Sequence, residues 1–124
     1  MLPDVFHTVC YGTSDVPKAV AKLHTFTPAI LHGYCRRRVQ YADYPGIIED
    51  KDHQVFGSFA TGLTKANMAK LDYFEGSQYE RRTVKVKLLE KVGDLKGEGN
   101  VEGEEKTAAV YVFKNKRDLE EKEW

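Results

Sequence analysis

Leu71-Asp72-Tyr73-Phe74-Glu75-Gly76 closes a helix, and the alternating stretches on either side of it decide the fold. Thr64 is a good N-cap, and Lys65 to Tyr73 read as a helix with Met68, Leu71, Ala69 and Phe74 as candidates for its inner face. Gly76 is a natural residue to stop it. Before this helix, Val55, Gly57, Phe59, Thr61 and Leu63 alternate with Phe56, Ser58 and Ala60, which is the period of a strand. After it, Val84, Val86 and Leu88 alternate with Lys85 and Lys87 across Thr83 to Glu90, a strand with one wet face.

Working outward, Thr107 to Phe113 read as a further strand, and Gly93 to Lys106, rich in Gly and Glu and without a period, as a long exposed loop. The strands flanking that loop are expected to pair antiparallel. The charged stretch Asn115 to Trp124 reads as the opening of a helix. Toward the N-terminus, Ala29 to Tyr41 cluster their apolar residues as strands do. Tyr44-Pro45-Gly46 is a turn signal, Ile47-Ile48 follows, and Asp50-Lys51-Asp52 is a polar turn. Pro17 followed by Lys18 to Leu23 predicts a short helix capped by Ser14 or Asp15, broken by Thr25 to Pro28. Strands outnumber helices and no regular helical crossovers separate them. The expected fold class is therefore α+β, a small curled antiparallel or mixed sheet, barrel-like, with a few flanking helices.

At 124 residues the chain reads as a single domain, 1–124, with one modest core. Lys+Arg and Asp+Glu are both 19, and zero net charge argues against general attachment to nucleic acid or anionic membrane. No apolar run approaches the roughly 18 residues of a membrane span, and Met1-Leu2-Pro3-Asp4 lacks the character of a signal peptide. Cys10 and Cys35 are expected as free thiols of a cytoplasmic protein. His7, His24, His32 and His53 show no metal-ligand spacing with them, so neither metal nor cofactor is expected.

Glu75 is the residue expected to carry chemistry. It sits in the last helical turn, where the carbonyl ends disfavour a carboxylate, and Tyr73 and Phe74 flank it with apolar rings. Repulsion and desolvation both raise its pKa toward the range a general base or acid needs. The plainer reading is an exposed Glu paired with Arg81 or Arg82. The run Arg36-Arg37-Arg38 places alternate side chains on opposite faces of a strand, which predicts solvated or ion-paired surface arginines rather than one anion-binding patch.

Several segments in order carry a resemblance: Ala29-x-Leu31-x-Gly33-Tyr34, Tyr44-Pro45-Gly46-Ile47, Val55-x-Gly57, Leu71-Asp72-x-Phe74-Glu75-Gly76-x-x-Tyr79-x-Arg81-Arg82-x-Val84, and Ala109-x-Tyr111-Val112. Together they resemble the γ-glutamylcyclotransferase-like superfamily, in particular its avirulence-induced-gene-like branch of plants and fungi. The resemblance implies a curled, barrel-like sheet around one cavity and a small-molecule γ-glutamyl substrate. It further implies ring closure of a γ-glutamyl amine or peptide to 5-oxoproline, with Glu75 at the catalytic position and Tyr79 near the substrate. The family's other signature, Tyr-Gly-Ser/Thr-Leu at the end of the first strand, has two readings here. Tyr11-Gly12-Thr13-Ser14 is that motif, with Val5 to Cys10 as the strand and Tyr11, Gly12 and Thr13 on the substrate; or the chain starts just after the motif and lacks the first strand. The spacing, and a Ser where a buried Leu is wanted, favour the second. The alternative to an enzyme is a non-catalytic small-molecule-binding or interaction module that keeps the cavity.

Overall fold

Two long hairpins with a helix between them build the structure. The computed structural model describes residues 3–123 apart from 43 and 95, with side chains through residue 121. In chain order the elements are α1 (Pro3–Tyr11), α2 (Lys18–Ala21), β1 (Phe26–Val39), β2 (Pro45–Ala60), α3 (Lys65–Glu75), β3 (Tyr79–Lys91), β4 (Val101–Phe113), a 3₁₀ turn (Lys116–Asp118) and β5 (Leu119–Glu123). The strands form one sheet in the order β2-β1-β3-β4, with β5 added to β1, and every pairing is antiparallel rather than mixed. The α+β class with a curled sheet and flanking helices holds.

The β1–β2 and β3–β4 hairpins join along a short seam, Ala29 opposite Leu88 and Ile30 opposite Lys87. The sheet curls until its two outer strands meet at one end. There Gly46 of β2 lies so close to Phe113 of β4 and to Leu119 that a Cβ on it would come within 3.0 Å of both side chains. Val39, Ile48, Phe113 and Leu119 bury one another at this closed end. A second cluster, Phe6, Cys10 and Leu71, packs α1 against α3.

Several local expectations are corrected. Residues 5–10 are helix, not strand: Val5-Phe6 and Val9-Cys10 recur four apart, so one side of a helix buries Phe6 and Cys10. Lys70 Nζ, 2.6 Å from the Cys10 carbonyl oxygen, donates to the carbonyl end of α1. The short second helix starts at Pro17 without a side-chain cap from Ser14 or Asp15; instead the Asp15 N–H donates to Thr13 Oγ1 at 3.1 Å. Thr25 to Pro28 do not end in a break, because Phe26 already begins β1. Outside the seam β1 is flanked mainly by β2, and Pro28 is tolerated there.

Asp50-Lys51-Asp52 do not turn the chain back. They form a bulge inside β2: pairing passes from His32↔Gln54 to Tyr34↔Glu49, and Gly33 takes φ +82 opposite the extra residues. The Asp52 N–H donates to Asp50 Oδ1 at 3.2 Å, which draws the chain into that bulge. The loop expected over residues 93–106 shrinks, since β4 begins at Val101. Its polar half holds the ladder through charge across strands, Lys87 facing Glu105 with 3.7 Å between them. The charged C-terminal stretch makes one 3₁₀ turn and then strand, not a continuing helix. Met1, Leu2 and Trp124, named in the readings above, lie outside the described residues.

Candidate functional site

The curl leaves a cavity of about 680 Å³, walled by Ile30, Ile47, Val55, Phe59, Leu71 and Val84 among others. Polar side chains enter it sparingly: Glu75 from α3, Tyr79 from the start of β3, Arg36 from β1, with Ser58, Thr107 and Tyr111 on the strand walls. A mostly apolar cleft of this size with a few convergent polar groups is the usual form of a small-molecule site.

Helix geometry aims Glu75. At about 100° per residue, positions 68, 71 and 75 share one stripe within roughly 60°, and Met68, Leu71 and Glu75 all line the cavity. Ala69 and Phe74, read above as possible inner residues, instead face outward; Phe74 is 55% exposed and Tyr73 91%. The helix is anchored at its start by Thr64 Oγ1 accepting from the Asn67 N–H at 3.1 Å, with Asn67 Oδ1 accepting from the Thr64 N–H at 3.0 Å. It stops where Gly76 takes φ +86.

Burial raises the Glu75 pKa above the ordinary carboxylate value. The walls of the cavity do this, not the flanking rings of Tyr73 and Phe74, which stand in solvent. Arg81 and Arg82 do not pair with Glu75. Arg81 Nη1 binds Asp72 at 3.2 Å, and Arg82 binds Glu49 at 2.7 Å and Glu80 at 2.5 Å. Among the described residues Glu75 makes no hydrogen bond or ion pair.

Tyr79 packs edge-on against Phe113, ring centroids 5.1 Å apart, and its hydroxyl donates to the Pro45 carbonyl oxygen at 3.3 Å. Burial, then the nearby Glu75 charge, push its pKa up. The two residues therefore act on the same part of the cavity. Tyr111 donates to Asp72 Oδ1 at 2.6 Å, so Asp72 ties the last turn of α3 to β4 through Tyr111 and to β3 through Arg81. This accounts for the Asp in the Leu-Asp-x-Phe-Glu-Gly block: it positions the turn that carries Glu75.

Tyr11, Gly12 and Thr13 are not brought to the cavity. They follow α1; the Tyr11 hydroxyl lies 2.6 Å from His24 Nε2, Gly12 takes φ +77 to end the helix, and Thr13 accepts from Asp15. The reading of Tyr11-Gly12-Thr13-Ser14 as a strand-end loop fails with the strand it required.

Arg36 is the site residue that sequence reasoning missed. Its expected place was a solvated surface; instead strand alternation, combined with the direction of the curl, turns it onto the concave face. Its neighbours go elsewhere: Arg37 Nη2 binds Asp50 at 3.0 Å, and Arg38 Nε donates to the Ala42 carbonyl oxygen at 2.6 Å. The fold also gathers Cys35, Asp50 and His53, with one donor atom of each within 4.8 Å of the others, a grouping invisible in their spacing. Asp50 already carries the Arg37 guanidinium, and its pKa is lowered by hydrogen bonding from His53, Asp52 and Arg37. Cys10 and Cys35 are both buried and not joined in a disulfide. No helix among the described residues is long and apolar enough to cross a membrane.

A curled antiparallel sheet closed around an apolar cavity, with a helix-terminal carboxylate lining it, defines an α+β class built around one central pocket. Residues 5–124 match the family model described as gamma-glutamyl cyclotransferase, AIG2-like, and the chain belongs to that family. Its relatives include Protein AIG2 C of Arabidopsis thaliana, 31% identical over 120 residues, covering 94% of this chain and 66% of that protein. AIG2-like protein C of the same plant is 33% identical over 112 residues, covering 87% and 59%. Thus the chain spans between 59% and 66% of the length of these two relatives. An Arabidopsis thaliana solution structure superposes with a TM-score of 0.63 at 22% identity over 97% of this chain and 68% of its own, which shows the fold. A second reaches 0.58 at 26% identity over 91% and 56%.

Proposed function

We propose that this protein acts as a γ-glutamylcyclotransferase-like enzyme that closes a γ-glutamyl amine or peptide to 5-oxoproline and releases the amine. The observation that carries this reading is Glu75, a carboxylate at the end of α3 without a hydrogen-bond or ion-pair partner among the described residues, facing the cavity with its pKa raised by burial. In the proposed step Glu75 takes a proton from the substrate's α-ammonium. The freed amine attacks the γ-carbonyl carbon, and the C–N bond to the leaving group breaks as Glu75 returns the proton to the departing nitrogen. The attacking nitrogen sheds a second proton, also relayed by Glu75 to the departing nitrogen, so the amine leaves as its ammonium, the ring nitrogen keeps one hydrogen, and atoms and charge balance without a co-reactant. Because both reacting groups belong to one molecule, the protein's main contribution is to hold the folded pose and supply one base. The test is 5-oxoproline release from a panel of γ-glutamyl amines and peptides. Turnover that disappears in Glu75→Gln supports the reading; no turnover on any member sinks it.

One observation favours the second reading, a non-catalytic binding module: Tyr11–Thr13 does not reach the cavity and supplies no donors for a developing oxyanion there. That module is stabilised thermally by γ-glutamyl compounds without forming product.

A further inference from the structure

Of the three consecutive arginines, two are occupied and one is not. Arg37 holds Asp50 and Arg38 holds a turn carbonyl, while the Arg36 side chain has neither hydrogen bond nor ion pair among the described residues. Its guanidinium lies over Gly57, with Nη2 at 3.9 Å from where a Cβ on that glycine would stand. Any larger residue at position 57 would fill the floor beneath it. On β1, Arg36 pairs with Ile47, two residues from the Pro45 carbonyl that accepts from Tyr79, so the same stretch of β2 runs past both groups. Burial lowers the Arg36 pKa, as expected of a cation short of solvent and short of a counter-ion, yet a guanidinium remains charged at any physiological pH.

A half-buried cation without a partner is costly, and a ligand anion repays that cost. The planar fork of Arg matches a carboxylate with two parallel hydrogen bonds. The charge count of the cavity favours one negative charge rather than two. Arg36 is its only cation among the described lining residues, and Glu75 repels a dianion such as a phosphate monoester.

We propose, resting on the reading of the cavity as a γ-glutamyl site, that Arg36 is the specificity-determining anchor for the substrate's free α-carboxylate. Holding that group fixes the α-carbon between Arg36 and Glu75. The apolar walls are left for the γ-amide and the substituent of its leaving amine. The substrate class is then a γ-glutamyl amide with a free carboxylate and an apolar amine substituent, and the α-carboxamide form of the same compound is rejected.

Binding of uncyclisable probes tests this apart from turnover. Glutaric acid monobenzylamide keeps the carboxylate and the amide of γ-glutamyl benzylamine but lacks the attacking amine; its diamide lacks the charge. Calorimetry on the wild-type protein is expected to show the monobenzylamide bound roughly 10- to 100-fold tighter than the diamide, the range for hydrogen bonds to a charged group. Arg36→Gln abolishes that preference while leaving diamide affinity within about twofold, and Arg36→Lys, which keeps the charge without the fork, retains only part of it. Wild-type protein that binds both probes equally, or neither, overturns the proposal. So does an Arg36→Gln protein that keeps the preference. If the preference depends on Arg36 but no γ-glutamyl compound is turned over, the anchor stands and the cyclotransferase reading falls.

Discussion

Asp72 and Glu75 sit one turn apart on the same helix and live in opposite circumstances. Asp72 accepts from Tyr111 at 2.6 Å and pairs with Arg81 at 3.2 Å, so its charge is spent on holding the helix to the sheet. Glu75 faces the cavity with no such partners among the described residues, and burial raises its pKa. The same contrast recurs within the arginine run, where Arg37 is spent on Asp50 and Arg36 is left toward the cavity. In both pairs the group already satisfied by the protein does structural work. On the proposed reading, the group left without a partner among the described residues keeps its interaction energy for a ligand.

The contrast breaks most sharply at Glu75. Under the proposed activity Glu75→Gln lowers kcat for 5-oxoproline release by about 10²–10⁴, the usual worth of a general base, while Asp72→Asn leaves kcat within about tenfold. Equal losses in the two variants would erase the distinction. The next effect falls on the buried leucine of the helix that carries both carboxylates. Leu71 is 4% exposed, and Leu71→Ala is expected to cost about 2–5 kcal/mol in urea unfolding.

Tyr111→Phe, which removes the donor to Asp72, is expected to cost about 1 kcal/mol by the same measurement. The smallest effect depends on pH. A carboxyl whose folded pKa is raised stabilises the fold below its ordinary value of 4.5, and that stability is lost as pH rises through the folded value. Glu75→Gln escapes the loss. It is therefore more stable than wild type at about pH 7, with the advantage gone below the ordinary carboxylate value of 4.5. Melting curves across that range check it. The proposed rate, too, falls as acid protonates Glu75.

The direction of Glu75 was already legible in the sequence: counting by helical steps from Met68 puts it on the buried stripe and takes Phe74 off it. The alternation of Val84, Val86 and Leu88 gave β3, and the Thr64 and Gly76 signals bounded α3 to within two residues. What stayed hidden depended on distant chain. Alternation says Arg36 and Arg37 face apart, but which face becomes concave is set by how β2 and β4 curl together at Gly46 and Phe113. The polar half of β4 carries no apolar period and becomes strand because β3 lies beside it. Cys35, Asp50 and His53 meet because a bulge shifts the register of β2 against β1, which no spacing along the chain encodes.

The short seam between the hairpins has a consequence for how the molecule assembles. Each hairpin closes over a short span of chain, 40–44 or 92–100, whereas Ala29 and Leu88 must find each other across all of β2 and α3 and most of β1 and β3. Loop-closure entropy makes that meeting late. The hairpins should therefore gain protection against amide exchange first and the seam last. In the native state the two-pair seam is then expected to be the least protected line of the sheet, between two preformed halves.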